Sequence, residues 1–131
     1  MSNHFVGHFD GSSVPNPGKM TIGGRIINVP SGKVVCTYSE EVGEGTNNQA
    51  EYLSLIELLK KAIENNITKI YIKGDSMLVV KQVNGEWKVK SPQMKILRNE
   101  AQKLLENFDM WKLDHVYRCY NKEADRLTRK H

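Results

Sequence analysis

Asp10, Glu51, Asp75 and Asp125 stand in unusual places for acids. Asp10 ends the alternating run HFVGHFD beside a glycine turn, and Asp75 follows IYIKG where a helical pattern opens. Glu51 falls in line with Leu55, Leu58 and Ala62, a narrow apolar stripe on one helix face, widened by Leu53, Leu59 and Ile63. Asp125 lies in the final short helical stretch. Carboxylates drawn together in a low-dielectric site repel one another. Hard divalent cations with oxygen ligands relieve that repulsion. Two such ions, roughly 3.5–4 Å apart, can activate a water and stabilise the leaving oxygen of a phosphodiester. Each acid also has a plainer reading. Asp10 could start a turn, Asp75 could cap a helix, and Asp125 could be a solvated helix residue. Glu51, three residues after Asn48, could complete a capping box or favour the helix dipole.

The elements that must position these acids can be read in order. Residues 4–10 form a strand with Val6, His8 and Asp10 on one face and Phe5, Gly7 and Phe9 on the other. GSSVPNPGK, residues 11–19, is turn chemistry. MTIGGRIIN, the turn PSG and KVVCTYSEEV then complete a meander of three antiparallel strands. Thr46, Asn47 and Asn48 offer caps to a helix that ends near residues 65–66. TKIYIKGDS is a β-branched strand, SMLVVKQV a short helix and NGEWKVKSP a loop. Residues 92–107 carry Met94, Leu97, Ala101, Leu104 and Leu105 at helical spacing, MWKLDHVY is a last strand, and a short helix runs from Asn121 to the end. The predicted order βββαβααβα implies one mixed sheet with helices on its faces. Strand ends and helix starts meeting at one sheet edge would bring Asp10, Glu51 and Asp75 together.

The 131 residues suit one domain, residues 1–131, with no internal repeat or linker. No apolar run approaches the roughly 20 residues of a membrane span. MSNHFVGHFDG lacks a basic-then-apolar signal layout. Cys36 and Cys119 are far apart, with neither zinc spacing nor a disulfide framework, which fits a reducing cytosol. The charge is uneven: residues 1–80 hold 7 Lys/Arg and 8 Asp/Glu, whereas residues 81–131 hold 12 and 7. That basic C-terminal part, with Lys81, Lys88, Lys90 and Lys95, suits a polyanionic partner.

Four blocks make the pattern specific. FDGSSVPNPG at 9–18, GTNNQAEYLSL at 45–55, IKGDSMLVVKQVNGEWKVK at 72–90 and HVYRCYNKEADRLTRKH at 115–131 each carry one of the acids. In this order they resemble type 1 ribonuclease H over nearly the whole chain. The resemblance implies an α/β fold, a five-stranded mixed sheet (three antiparallel strands, then two parallel) flanked by helices. It implies cleavage of the RNA strand of RNA/DNA hybrids to 3′-hydroxyl and 5′-phosphate ends by a monomeric enzyme. It further implies two Mg²⁺ ions, with Mn²⁺ able to substitute, on Asp10, Glu51, Asp75 and Asp125. Asn16, Asn47 and Asn48 match positions that touch the hybrid's minor groove, where amides can both donate and accept. Thr46 matches a position that holds a DNA-strand phosphate, and Asn121 a family asparagine near the active site; turn and cap roles are their plainer readings.

The sequence also departs from the family pattern. Many bacterial relatives carry a histidine in the loop before the last acid-bearing helix; here that loop is RCYNK. Arg118 is its nearest cation, and His115, within the preceding strand, reads as structural. Many relatives carry a basic helical protrusion, for which NGEWKVKSP has no room; Trp87, Lys88 and Lys90 could supply a smaller contact surface. Trp87 could equally be partial core. Relatives of this compact form can also act on double-stranded RNA. The alternatives are therefore a non-catalytic module binding hybrid or duplex RNA, and a nuclease of the same superfamily acting mainly on double-stranded RNA.

Overall fold

The three-dimensional structure is a computed structural model that describes residues 4–129. Strands β1 (His4–Val14), β2 (Gly18–Val29) and β3 (Val34–Gly45) are followed by helix α1 (Asn47–Glu64) and strand β4 (Lys69–Gly74). Helices α2 (Met77–Val83) and α3 (Pro92–Leu105), strand β5 (Met110–His115), a 3₁₀ turn (Arg118–Tyr120) and helix α4 (Lys122–Thr128) complete it. The sheet order is β3-β2-β1-β4-β5. The first three strands pair antiparallel, and β1, β4 and β5 pair parallel, as the motif order implies.

Two expected boundaries move. Residues 11–19 read as a turn, yet Gly11–Val14 stay in β1 and Gly18–Lys19 are already β2, leaving only residues 15–17 to turn. The antiparallel partner explains this, because pairing continues through Val14 opposite Lys19 and satisfies the backbone of otherwise turn-forming residues. Asp10 is therefore inside a strand rather than at its end. Similarly, β3 runs on through residues 43–45, where Gly45 pairs with Gly18. The last helix stops at Thr128; the expectation that it continues to residues 130–131 lies outside the described residues.

Helix α1 packs its apolar stripe on one face of the sheet. Tyr52, Leu55, Leu58, Leu59 and Ala62 are fully buried there with Phe9, Ile26 and Ile72. Each such large side chain contributes about 1.5–3 kcal/mol by leaving water. Phe9 thus faces α1, and the alternation of β1 sends Asp10 and His8 to the opposite face, toward α4. Two glycines set how closely the helices approach. A Cβ on Gly11 would lie 2.3 Å from the Ala50 carbonyl oxygen of α1. One on Gly23 would lie 2.8 Å from the Ala124 oxygen of α4, on the other side. Helix backbone therefore rests directly on strand backbone at both faces, beside Asp10, which pairs with Gly23.

Candidate active site

Three pieces of backbone geometry deliver the acids. Strands β1 and β4 are parallel and in register at Phe9 and Gly74, so the next residue on each, Asp10 and Asp75, emerges side by side. This is where the sheet order reverses, with β2 on one side of β1 and β4 on the other, the place where open α/β sheets bind ligands. Glu51 comes from the first turns of α1 and accepts a hydrogen bond from the Gly11 N–H at 2.7 Å. Asp125 comes from α4, whose first turn closes through the Asp125 N–H to the Asn121 carbonyl at 3.1 Å. Carboxylate oxygens of Asp10, Glu51 and Asp75 all lie within 4.8 Å of one another, and Asp125 borders the same cleft of about 350 Å³.

The plainer readings of Glu51 and Asp75 do not hold. Thr46, not Asn48, is the N-cap of α1: its hydroxyl accepts from the Gln49 N–H at 3.1 Å, and the Gln49 Oε1 accepts from the Thr46 N–H at 2.8 Å. That capping box leaves Glu51 without a capping duty. Likewise Ser76 caps α2 through the Val79 N–H, at 3.3 Å, so Asp75 is not the cap.

The electrostatics are unfavourable as they stand. Burial, then the charge of Asp75, push the Asp10 carboxyl from 3.8 up to about 8; Asp125 raises it further, and a hydrogen bond with Glu51 opposes the rise. Glu51 is also pushed well up, first by burial and then by Asp10 and Asp75, with the Gly11 N–H pulling the other way. Among the described residues, the buried Oδ2 of Asp75 has no hydrogen-bond partner; the Arg118 Nε is 3.9 Å from it. Hard oxygen donors, mutual repulsion and an orphaned buried oxygen fit divalent cations well. Asp10, Glu51, Asp75 and Asp125 are the residues able to hold them.

A polar rim extends from the cleft. Asn48 borders both it and an adjoining hollow of about 450 Å³ that Asn16, Thr46 and Asn47 also line. Asn16 Oδ1 accepts from the Asn47 N–H at 3.1 Å, and Asn47 Oδ1 accepts from the Ser13 N–H at 2.7 Å. Both asparagines are thus fixed by their oxygens, leaving their amide N–H groups for a ligand. Arg118 is exposed at the cleft mouth. Trp87 is 47% exposed, so it is not core, and Lys88 is exposed beside it. Asn121 lies beside the site but inside the fold. It is 1% exposed and its Nδ2 donates to the Phe9 carbonyl at 2.9 Å, so it locks α4 onto β1 next to Asp10.

Sequence reasoning missed Arg129 and Gln49. Arg129 lines the cleft and pairs with Asp125 at 3.3 Å, and their i,i+4 spacing was a readable signal. Gln49 closes the capping box and its Nε2 donates to Gln93 Oε1 at 3.1 Å, tying α1 to α3 at the rim.

Comparison with known proteins places this geometry. Residues 8–131 match a family model described as reverse transcriptase-like. Over 121 residues the chain is 39% identical to ribonuclease HI of Halobacterium salinarum, covering 92% of this chain and 60% of that protein. It is 37% identical to the bifunctional protein Rv2228c of Mycobacterium tuberculosis, covering 91% of this chain and 33% of that one. The chain therefore spans only part of these relatives' length. The crystal structure of ribonuclease H1 from Halobacterium salinarum superposes with a TM-score of 0.91 at 38% identity, covering 95% of this chain and 93% of that one. LC11 ribonuclease H1, solved in complex with an RNA/DNA hybrid, gives a TM-score of 0.86 at 29% identity, covering 94% and 92%. The ordered motifs, the sheet, the acid cluster and these matches agree: the chain belongs to the type 1 ribonuclease H family.

Proposed function

We propose that this chain is a metal-dependent endoribonuclease that hydrolyses the RNA strand of RNA/DNA hybrids, leaving 3′-hydroxyl and 5′-phosphate ends. The observation that carries the proposal is the buried convergence of Asp10, Glu51 and Asp75. The relative solved with an RNA/DNA hybrid supports the substrate class. Asp10, Glu51, Asp75 and Asp125 would hold two Mg²⁺ ions, or Mn²⁺. When bound, these supply the charge that offsets the four acids, activates a water and stabilises the departing 3′-oxygen.

The remaining work belongs to the chain's own residues. Asp10 is central, because the other three acids all act on its carboxyl. The Gly11 N–H fixes the orientation of Glu51. Asn16, Asn47 and Asn48 present amides to 2′-hydroxyls and base edges along the minor groove. The Thr46 hydroxyl, whose lone pair serves the helix cap, keeps its hydrogen to donate to a DNA-strand phosphate. Arg118 and Arg129 attract backbone phosphate to the cleft mouth. Trp87 and Lys88 offer stacking and phosphate pairing in place of a longer protrusion. Asn121 acts as a positioning residue. Residues 1–131 work as one domain, a monomer in the cytosol.

The test is cleavage of matched hybrid, duplex RNA and duplex DNA in Mg²⁺ and then in Mn²⁺, with Asp10→Asn alongside. Hybrid cleavage lost in the variant and in EDTA is expected. Faster cleavage of duplex RNA would replace the substrate assignment, and binding without cleavage would replace the enzyme by a binding module.

A further inference from the structure

The two arginines of the cleft stand differently toward its acids. Arg118 rises from the 3₁₀ turn, and its Nε is 3.9 Å from Asp75 Oδ2. Arg129 comes closer. It follows Asp125 by one turn of α4, the i,i+4 spacing that stacks side chains on one helix face, and its Nη2 reaches Asp125 Oδ2 at 3.3 Å. Asp125, Thr128 and Arg129 all line the acid cleft, so the pair forms inside the site rather than on the outer face of α4. Thr128, between the two, donates its hydroxyl to the Asp125 carbonyl at 2.7 Å and leaves the carboxylate to Arg129. The pair can part readily. The Asp125 side chain is 25% exposed and the Arg129 side chain 70%, and ion pairs that water reaches hold weakly.

We propose that Arg129 is a resident counter-ion: it shields Asp125 in the metal-free protein, gives it up to a divalent cation, and turns its freed guanidinium to a phosphate of the hybrid. This inference rests on the nuclease reading above. Arg129 and a divalent cation compete for one carboxylate charge, whereas both favour phosphate. The guanidinium fork matches phosphate oxygens, so the released side chain has a partner waiting only when substrate is present. Removing Arg129 therefore acts with opposite sign on the two ligands. Mg²⁺ binds more tightly and hybrid more weakly. Arg126 is the comparison that the same helix supplies. It is next to Asp125 in the chain and carries the same charge, but it pairs with Glu123 at 2.8 Å, outside the lining of the cleft.

The experiment is a calorimetric Mg²⁺ titration of the full chain without nucleic acid, as wild type, Arg129→Gln, Arg129→Lys and Arg126→Gln, with steady-state hybrid cleavage alongside. Arg129→Gln should bind Mg²⁺ about two- to fivefold more tightly, the size expected of an ion pair that water reaches. It should also raise KM for hybrid about threefold or more at low salt. Arg129→Lys keeps the charge and should return Mg²⁺ affinity to near the wild-type value. Arg126→Gln should match wild type. Equal or weaker Mg²⁺ binding by Arg129→Gln overturns the proposal, because Arg129 is then a passive surface pair or a group that orients Asp125 for the ion. An unchanged KM overturns it as well. So does an equal gain in Arg126→Gln, which would assign the effect to the general field of α4. A wild type that binds no Mg²⁺ or cuts no hybrid brings down the nuclease reading and this inference together. If it does both and Arg129→Gln matches it, this inference alone falls.

Discussion

Asp10→Asn should make the metal-free protein more stable while ending cleavage. The folded site holds Asp10 at about 8 against an ordinary 3.8. Between those values the native state keeps a proton that the unfolded chain has released. Stability therefore falls as pH rises through this window, by up to about 1.4 kcal/mol per pH unit for one proton. His8 acts in the opposite sense. Burial, then Lys73 and Arg25, lower it from 6.5 to about 4, so the unfolded chain takes up its proton first and stability rises with pH until about 6.5. The two slopes oppose each other in the acid range. From about pH 6.5 to pH 8 only the carboxylates remain, and the ceiling on the loss is about 2 kcal/mol for each proton the folded site retains.

An asparagine at position 10 removes the charge that is penalised and lightens the load on Glu51. Allowing for relaxation and water entry, the variant should gain about 1–3 kcal/mol at pH 8, with roughly 3–6 °C in Tm for each kcal/mol in a chain of this size. The assay is thermal or urea unfolding of both proteins in EDTA at pH 6.5 and pH 8. The wild type should lose stability between the two and the variant should lose less. Adding Mg²⁺ should then stabilise the wild type and scarcely affect the variant. A variant that melts at or below the wild type at pH 8 in EDTA would refute the account of an electrostatically stressed site.

Four further substitutions probe the supports. Thr46→Ala removes the capping hydroxyl and should cost about 1 kcal/mol in urea unfolding, with a weaker Kd for hybrid. Gly11→Ala drives a methyl against the Ala50 carbonyl and should cost about 1–3 kcal/mol, with cleavage falling further than the lost folded fraction explains. Asn121→Ala strands the buried Phe9 carbonyl at a cost of about 1–3 kcal/mol and should lower kcat with little change in KM. Arg118→Ala should raise KM at low salt and reduce the slope of log affinity against log salt by about one.

How far the sequence carried the reading depended on the range of the forces involved. The strand and helix order was legible because period-2 and period-3.6 patterns are local. Glu51 and Asp75 were legible because each sits near a helix start marked by asparagine or serine, and Asp10 because an acid ends an alternating run beside glycine, although pairing with β2 carries the strand past it. The turn at residues 11–19 was misplaced because GSSV is turn-prone in isolation and only pairing with β2 makes it strand. Asn48 was a plausible cap by spacing, but the Thr46–Gln49 pair wins because it satisfies two backbone N–H groups at once. Asn121 carried the marks of a surface cap, and its burial against Phe9, far earlier in the chain, is set only by tertiary packing.

The division of labour along the chain explains why the acids can stay poised. At the starts of α1 and α2, an acid within five residues of a helix N-terminus would ordinarily be absorbed into capping. Here Thr46 and Ser76 take that role, and both carboxylates turn instead to a common point beyond the C-terminal side of the β1–β4 pairing. The glycines at positions 11 and 23 let α1 and α4 close on that point from opposite faces, so the backbone itself sets the separation. Relaxing the repulsion would require moving helices off the sheet and exposing Tyr52, Leu55 and Phe9, at about 1.5–3 kcal/mol for each large side chain. The core therefore outweighs the acids and holds them together, so the metal-free site relieves its repulsion by retaining a proton rather than by unfolding, and in the proposed function cations would take that proton's place.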